Sequence, residues 1–379
     1  MKLIHLSDLH LGKRVHEYPM LEDQTYILRS ILRIVENETP DAVVIAGDVY
    51  DRPVPPAEAV RLFDDFLFGL ALLCGNVFVI SGNHDSAERI AFGGRLMSGS
   101  GVHVSRVYDG TAQAHVLTDE HGELAVYLLP FVRPAEVRAL FPDEPIDGFT
   151  DAVACAVRHM NIDPARRNIL VTHQFVTGAE RSDSEDVSVG GVDGVDAAVF
   201  DPFDYVALGH LHGPQRVGRD TLRYCGSPLK YSFSEKDQKK SVTVVELGAK
   251  GSVNVRTAPL TPLHEMRELR GSYDELTLRK NYENTAADDY LRVILTDEED
   301  VPDAMRRLRT VYPNIMRLAY DNRRTRSELS PDGGAAAVDG ITPLALFGEL
   351  YEAQNGQPMS GEQQALAAAI FEALREEQP

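Results

Sequence analysis

Asp8 and His10 are the first residues of this 379-residue chain whose types and spacing could bind a metal ion. They lie two positions apart in the segment Ser-Asp-Leu-His-Leu-Gly, directly after the apolar run Lys2 to Leu6. Alternate residues of an extended segment project to the same side, so a carboxylate and an imidazole at this spacing can bind one ion. Because such a pair also recurs by chance, it does not establish a site by itself.

Two further apolar runs end in side chains of the same kind. Residues 41–46 are followed by Gly-Asp, which places Asp48 at the end of a predicted strand, with Gly47 allowing close backbone approach. Residues 76–81 are followed by a segment that contains Asn83, His84 and Asp85. Three successive strands that each end in Asp, Asn or His indicate a shared polar edge rather than three ordinary turns.

Histidines in two later segments complete the set. Val-Thr-His-Gln places His173 after a predicted strand, and Leu-Gly-His-Leu-His places His210 and His212 after another. With His10 and His84, these are five of the twelve histidines in the chain. We expect core or surface roles for the other histidines, which are His5, His16, His103, His115, His121, His159 and His264.

The ordered series Asp-x-His, Gly-Asp-x-x-Asp, Gly-Asn-His-Asp, His and Gly-His-x-His resembles the calcineurin-like metallophosphoesterase superfamily. The resemblance covers roughly the first two thirds of the chain, and no motif departs from the pattern. It implies two metal sites. The first would be formed by Asp8, His10, Asp48 and His212, and the second by Asp48, Asn83, His173 and His210.

The chemistry of these side chains agrees with two metal ions that share one carboxylate. A carboxylate can bridge two cations where a neutral imidazole cannot, so Asp48 is the natural shared ligand. Mixed His, Asp and Asn ligation favours Mn²⁺, with Fe²⁺ or Zn²⁺ as competitors. Two ions about 3.5–4 Å apart activate a water molecule and neutralise the phosphate during in-line attack. The predicted reaction is phosphoester hydrolysis.

His84 is not needed as a ligand, because the neighbouring Asn83 already supplies one. We expect its ring to contact the scissile phosphate and to protonate the leaving oxygen, with Asp51 or Asp85 orienting the ring. The resemblance implies the same role for the matching histidine, with the residue matching Asp51 behind it. A histidine that merely closes the turn is the alternative.

These side chains must be brought together by a fold in which several strand ends meet. The first half of the chain alternates apolar runs with helical spacing, as in Ile27, Ile31 and Val35, which predicts largely parallel strands. After Gly101 the strands lie closer together, with a hairpin near residues 119–123. Two sheets packed face to face with helices outside accommodate both halves. We therefore predict an α/β fold in four α/β/β/α layers.

Segments outside the metal motifs narrow the resemblance. The stretch 224–235, Tyr-Cys-Gly-Ser-Pro-Leu-Lys-Tyr-Ser-Phe-Ser-Glu, is similar to the SbcD family of bacterial nuclease subunits, as are His-Leu-Ser-Asp-Leu-His-Leu-Gly-Lys and Ala-Gly-Asp-Val-Tyr-Asp-Arg-Pro. This likeness extends over nearly the whole chain. It implies double-strand exonuclease and single-strand or hairpin endonuclease activity in DNA repair, recombination and replication. The implied partner is an SbcC-like ATPase with a coiled coil, bound to a homodimer within a heterotetramer.

Composition changes along the chain predict four parts. Residues 1–262 would form the metallophosphoesterase (nuclease) domain, and residues 263–326, which alternate strand and helix patterns, a small α/β capping domain. Residues 327–340 are rich in Gly, Ala and Pro, which is typical of a linker. Residues 341–379 would form two helices with apolar stripes that dock onto the ATPase, although packing back on their own domain is the competing interpretation.

The net charge of −20 counts against a nucleic-acid partner, because DNA-binding proteins are usually basic. Local cation clusters can nevertheless hold phosphates, and bound divalent cations would reverse the field at the active site. Arginines paired with nearby acids are the alternative interpretation. The candidate DNA-binding residues are Arg306, Arg307, Arg309, Arg317, Lys239 and Lys240, and Arg323, Arg324 and Arg326 extend the cluster.

Other features limit the compartment and the class of protein. The first residues form a strand pattern rather than a secretion signal, no run is long enough to span a membrane, and the three cysteines follow no zinc pattern. We therefore expect a cytoplasmic protein. The charged segment 180–186 is predicted to be a mobile loop. A small-molecule phosphodiesterase or phosphatase and a non-catalytic scaffold subunit are the alternative functions, and intact ligands at every motif argue against the scaffold.

Overall fold

The computed structural model describes residues 1–112, 114–183, 185, 194–323, 325, 343–355 and 358–376. The chain divides into two compact units, Met1–Arg267 and Glu268–Pro379. This division falls shortly after the boundary expected at residue 262. The predicted linker, residues 327–340, lies outside the described residues, as do Arg324 and Arg326.

The first sheet of the larger unit has six strands, of which four run parallel. The parallel strands are β1 (Lys2–Leu6), β4 (Ala42–Ala46), β5 (Val77–Ile80) and β6 (Val102–Val104). Two antiparallel strands, β13 (Ser241–Leu247) and β14 (Val253–Pro259), give the order β14-β13-β1-β4-β5-β6. The carboxyl ends of β1, β4 and β5 therefore lie side by side.

The second sheet also has six strands, in the order β11-β12-β10-β9-β8-β7. These strands are β7 (Ala114–Asp119), β8 (Gly122–Leu129), β9 (Arg167–His173), β10 (Tyr205–Gly209), β11 (Gln215–Val217) and β12 (Arg219–Tyr224). The predicted hairpin near residues 119–123 is the antiparallel turn between β7 and β8. A small separate ribbon consists of β2 (Arg14–Val15) and β3 (Tyr18–Pro19).

Six helices belong to the larger unit. They are α1 (Leu21–Glu38), α2 (Ala57–Leu73), α3 (Ala87–Ala91), α4 (Gly94–Met97), α5 (Pro134–Leu140) and α6 (Phe149–Arg158). The predicted apolar stripe of α1 is buried. Sequence analysis did not identify α3, α4 and α5, because each is too short to show helical periodicity. Single turns of 3₁₀ helix occur at Ser98–Ser100, Ala197–Phe200 and Phe233–Glu235.

The apolar core of this unit lies on both faces of the second sheet. Between the sheets, Val44 and Phe78 belong to the same buried cluster as Ile169. On the opposite face, Leu170 clusters with Val153 of α6. Strands buried on both faces are apolar without alternation, which explains why continuous apolar runs predicted them correctly. The predicted four-layer α/β/β/α arrangement is confirmed.

The smaller unit contains a three-stranded sheet in the order β15-β16-β17. Its strands are β15 (Met266–Gly271), β16 (Tyr290–Leu295) and β17 (Ile315–Tyr320). Three short helices accompany them, α7 (Tyr273–Thr277), α8 (Arg279–Tyr282) and α9 (Ala304–Leu308). Leu291, Val293 and Leu308 are at the centre of its core. The predicted alternation of strands and helices in this region matches these elements.

Two helices, α10 (Pro343–Asn355) and α11 (Gly361–Glu376), lie at the end of the described chain. They pack on each other, since the rings of Phe347 and Phe371 lie 5.8 Å apart and Gln363 Nε2 donates to the Tyr351 hydroxyl at 2.9 Å. Much apolar surface stays exposed, including 56% of Leu350 and 64% of Leu366. Among the described residues, no helix has the length and apolar character needed to cross a membrane.

Candidate metal centre

Five strand ends bring the predicted ligands to one edge of the sandwich. β1, β4 and β5 of the first sheet and β9 and β10 of the second lead into them. The residues are Asp8, His10, Asp48, Asn83, His173, His210 and His212. Asp8, His10, Asp48 and His210 have positive φ angles of 53°, 44°, 48° and 105°. Such backbone strain is uncommon outside glycine and concentrates at functional sites.

The first cluster contains Asp8, His10 and His212, whose candidate ligand atoms lie within 4.8 Å of one another. His10 Nε2 is 3.1 Å from His212 Nε2 and 3.6 Å from Asp48 Oδ2. The other ring nitrogen of His10, Nδ1, is buried and has no hydrogen-bond partner among the described residues. Two imidazole nitrogens and two carboxylates at these distances form a suitable donor set for a divalent cation.

The second cluster is formed around His173. Its Nδ1 donates to the Ala46 carbonyl oxygen at 2.8 Å, so Nε2 presents a lone pair in the neutral ring. Nε2 faces Asn83 Oδ1 at 2.9 Å and Asp48 Oδ2 at 3.3 Å, and Asn83 Oδ1 also lies 3.0 Å from His210 Nδ1. Several acceptors that converge without an intervening proton need a cation to satisfy them.

Electrostatics at Asp48 and His173 support the same conclusion. Burial opposes ionisation of both groups, but their mutual attraction is stronger. The pKa of Asp48 is held well below its usual range, and Asp48 raises the pKa of His173 to about 9. In protein without metal, a proton on His173 therefore provides the positive charge that an ion would supply. The residues fit two cations that share Asp48.

Two glycines of the motifs allow the strand ends to approach. A Cβ atom on Gly82 would lie 2.1 Å from Asp48 Oδ1, and one on Gly209 would lie 1.9 Å from the Ala46 carbonyl oxygen. Both distances are far below van der Waals contact, so no other residue fits without a backbone shift. The Gly-Asn and Gly-His pairs in the sequence therefore have a steric cause.

His84 lies beside this centre, with its ring centroid 4.8 Å from that of His10. Its backbone N–H donates to Asp48 Oδ1 at 2.9 Å. Its Nδ1 donates to the backbone carbonyl of Asp51 at 3.1 Å, which leaves Nε2 as the nitrogen that can exchange a proton. The predicted involvement of Asp51 thus takes a different form, because its backbone rather than its carboxylate makes this bond.

The two carboxylates considered for orienting His84 have other partners. Asp51 Oδ1 accepts from Lys13 Nζ at 2.6 Å. The Asp85 carboxylate accepts from three backbone N–H groups, those of Val49, Tyr50 and Gly82, at 2.9 to 3.1 Å. Asp85 therefore ties the loops after β4 and β5 together.

The predicted DNA-binding residues occupy different environments. Arg306 and Arg317 are exposed, although Arg306 also pairs with Asp303 at 3.2 Å. The Arg307 guanidinium lies 4.3 Å from the centre of the Tyr273 ring, and Arg309 donates to the Ile315 carbonyl at 3.1 Å. These arginines surround the exposed surface of α9 in the smaller unit.

The two candidate lysines differ sharply. Lys239 is exposed. Lys240 is buried, with 4% of its side chain exposed, and its Nζ pairs with Glu235 Oε2 at 2.5 Å. The prediction that Lys240 contacts DNA phosphates is therefore wrong. Its charge is used inside the protein, where a neighbouring carboxylate compensates it.

The charged segment 180–186 contacts the centre at its described residues. The Arg181 guanidinium lies 3.5 Å from the centre of the Phe175 ring. Glu185 Oε1 accepts from the backbone N–H of His212 at 2.6 Å. Sequence analysis predicted a mobile loop here, and it missed Glu185 because no local pattern indicates a partner 27 residues away.

Comparisons with known proteins agree with this geometry. The calcineurin-like phosphoesterase family matches residues 1–214, and the family described as type 5 capsule protein repressor C-terminal domain matches residues 262–355. A Staphylococcus epidermidis protein, named as the SbcD subunit of the nuclease SbcCD, is 34% identical over 323 residues, which cover 84% of this chain and 85% of the relative. The protein of the same name from Staphylococcus saprophyticus is 31% identical over 381 residues, 100% of this chain and 99% of the relative. A dimetal phosphatase structure from Danio rerio aligns with a TM-score of 0.40 and 11% identity, over 68% of this chain and 95% of that chain.

Proposed function

The chain belongs to the calcineurin-like phosphoesterases and, within them, to the SbcD family, and on this premise we propose that it is the DNA nuclease subunit of an SbcCD-type complex. The observation that carries the proposal is the position of Asp48. Its Oδ2 lies 3.6 Å from His10 Nε2 in one cluster and 3.3 Å from His173 Nε2 in the other. A carboxylate so placed can bridge two ions for phosphodiester hydrolysis.

Each residue of the centre has a role in this function. When bound, the two ions supply positive charge for the phosphate and an activated water molecule. Manganese suits the mixed nitrogen and oxygen donors. His84 protonates the leaving oxygen through Nε2, because Nδ1 is held by the Asp51 carbonyl. The holders of the first ion would be Asp8, His10, Asp48 and His212, and those of the second Asp48, Asn83, His173 and His210.

The proposed setting follows from the names of the two relatives, each described as the SbcD subunit of the nuclease SbcCD. In this setting the chain works in the cytoplasm with an SbcC-like ATPase that has a coiled coil. A homodimer of the chain sits within a heterotetramer. The complex cleaves duplex ends and hairpins in DNA repair, recombination and replication.

A nuclease assay tests the function directly. The manganese-loaded protein is incubated with duplex ends, DNA hairpins, mononucleotides and a chromogenic phosphodiester, with and without the ATPase. Cleavage of DNA that depends on manganese supports the proposal. Hydrolysis of small substrates alone, in the presence of the ATPase, would instead indicate a small-molecule phosphodiesterase.

Neutralising the arginines near α9 is expected to weaken duplex binding. If Arg306, Arg307 and Arg317 contact phosphates, changing all three to Gln removes those charges while keeping side-chain length and hydrogen-bonding ability. The slope of log affinity against log salt concentration should fall by about 0.9 for each phosphate that the variant no longer neutralises. Fluorescence anisotropy with a labelled duplex at several salt concentrations measures this.

The matched control changes three exposed arginines of the larger unit, Arg29, Arg33 and Arg61, to Gln. This control alters net charge equally and should keep the wild-type salt slope. Hydrolysis of the chromogenic phosphodiester should persist in both triple variants. An equal decrease in DNA affinity for both would show that total charge, rather than this cluster, governs binding.

Deleting all residues after Gly340 is expected to abolish co-purification with the ATPase while preserving manganese-dependent hydrolysis of small substrates. α10 and α11 leave apolar side chains exposed, including 40% of Phe347 and 52% of Ile370. Helix-in-groove association is the usual way to bury such surfaces.

Point variants separate docking from other effects of the deletion. Changing Leu366 and Ile370 together to Ser should weaken ATPase binding, whereas Gln364→Ala, an exposed polar position on the same helix, should not. A truncated chain that binds the ATPase with unchanged affinity would rule out this docking site.

A further inference from the structure

His212 is held at three separate atoms besides the ring nitrogen that faces His10. Its Nδ1 lies 3.2 Å from Glu235 Oε1, and because a carboxylate accepts, the imidazole nitrogen donates. Its backbone N–H donates to Glu185 Oε1 at 2.6 Å. Its backbone carbonyl accepts from Lys240 Nζ at 2.8 Å. The side chain and the peptide of this one ligand are therefore anchored from opposite sides.

Glu235 and Lys240 form a buried ion pair behind the ligand. Their closest atoms are 2.5 Å apart, and 0% and 4% of their side chains are exposed. Lys240 Nζ also donates to Ser227 Oγ at 2.9 Å and to Gln238 Oε1 at 2.8 Å. The ammonium group is thus held by several acceptors, which fixes the carboxylate that His212 contacts.

A buried ion pair of this kind has no evident benefit for folding alone. Removing two charges from water costs several kcal/mol per ion, and well-packed apolar side chains are often as stable. The stretch that carries the pair is also shaped around the ligand. Ser227 N donates to the His212 carbonyl at 3.1 Å, and a Cβ on Gly226 would lie 2.6 Å from that oxygen. These contacts all concern His212, which points to a role at the metal centre.

We propose that the Glu235–Lys240 ion pair positions His212 and sets the affinity of the first metal site. Glu235 keeps the proton on Nδ1, so the Nε2 lone pair is directed toward His10 Nε2, 3.1 Å away. Lys240 holds Glu235 and the His212 carbonyl in place. The inference rests on the proposed function, since it assigns a role within the same two-metal centre.

The second site lacks this support, which makes the inference selective. His173 is oriented by the Ala46 backbone carbonyl at 2.8 Å, and a side-chain substitution cannot remove that acceptor. Loss of the Glu235 charge should therefore weaken one of the two sites and leave the other unchanged. A general weakening of the fold would affect both sites together.

The experiment is a Mn²⁺ titration of the metal-free full-length protein by isothermal calorimetry, with thermal unfolding of the metal-free form measured in parallel. Glu235→Gln is expected to weaken one of the two binding events by about 10- to 100-fold, as is typical when a carboxylate behind a metal-bound histidine is removed. The other event should stay within about twofold of wild type, because its ligands are oriented elsewhere. Glu246→Gln, on β13 away from the centre, is the control and should bind both ions normally.

The double variant Glu235→Gln, Lys240→Met guards against a folding defect in the single variant. It removes both charges of the pair and should unfold near the wild-type temperature, yet keep the selective weakening of one site. Wild-type affinity at both sites in either variant, or equal weakening of both sites, would overturn the inference. Failure of the manganese-loaded wild type to cut DNA would overturn the proposed function instead, and would leave this binding result to be judged independently.

Discussion

His84→Gln is expected to reduce DNA cleavage by about 10²- to 10⁴-fold, the usual contribution of a general acid, while both metal ions stay bound. The Asn83 oxygen, rather than His84, faces the histidines of the second cluster, at 2.9 and 3.0 Å. The His84 backbone N–H that contacts Asp48 is unaffected by the substitution. Gln can accept or donate a hydrogen bond but cannot transfer a proton to the leaving oxygen.

Two measurements check this expectation together. Cleavage of a labelled duplex gives the rate, and elemental analysis after gel filtration gives the metal content. His121→Gln, a substitution at a histidine with 40% of its side chain exposed, provides the matched control and should cleave normally. Full activity of the His84 variant would refute the proposed acid, whereas loss of one ion would make His84 a ligand instead.

Asp48→Ala should have the opposite signature, with loss of metal as the cause of lost activity. Asp48 Oδ2 lies within 3.6 Å of ring nitrogens in both clusters, so one substitution removes a ligand from each site. The centre would also lose the charge that offsets nearby imidazoles. We expect less than one ion per chain and no measurable cleavage at manganese concentrations that saturate the wild type.

Asp64→Ala, an exposed position on α2, is the control for this substitution and should retain both ions and full activity. Chelation of the wild type should reproduce the inactivity of Asp48→Ala, and added Mn²⁺ should restore only the wild type. An Asp48 variant that retains two ions would show that the clusters bind metal independently, without a shared carboxylate.

Much of the centre could be predicted from the sequence, because its information is local. Each ligand directly follows an apolar run, and runs of that kind form strands buried on both faces in this sandwich. In a parallel sheet, the carboxyl ends of neighbouring strands meet at one edge. Order and residue type were therefore sufficient to bring Asp8, Asp48 and His173 into one predicted site. The same local patterns predicted the strands of the smaller unit.

Interactions between distant segments could not be predicted in the same way. Asp51 was correctly placed near His84, but whether its carboxylate or its carbonyl makes the hydrogen bond depends on how two loops pack. Glu185 contacts a residue 27 positions away, and its segment has no pattern beyond high charge. The short helices α3 to α5 were missed because they are defined by their neighbours rather than by their own periodicity.

Lys240 shows most clearly where sequence ends and tertiary structure decides. By itself, the sequence determined the ligand types, their order and the strands that carry them, since these are set by neighbouring residues along the chain. It showed Lys239 and Lys240 as two equivalent cations. Only the fold separates them, because burial and the nearness of Glu235 give Lys240 a compensating charge, while Lys239 stays in water. The free energy of a charged side chain depends on its surroundings in space, and those surroundings come from segments that the local sequence does not contain.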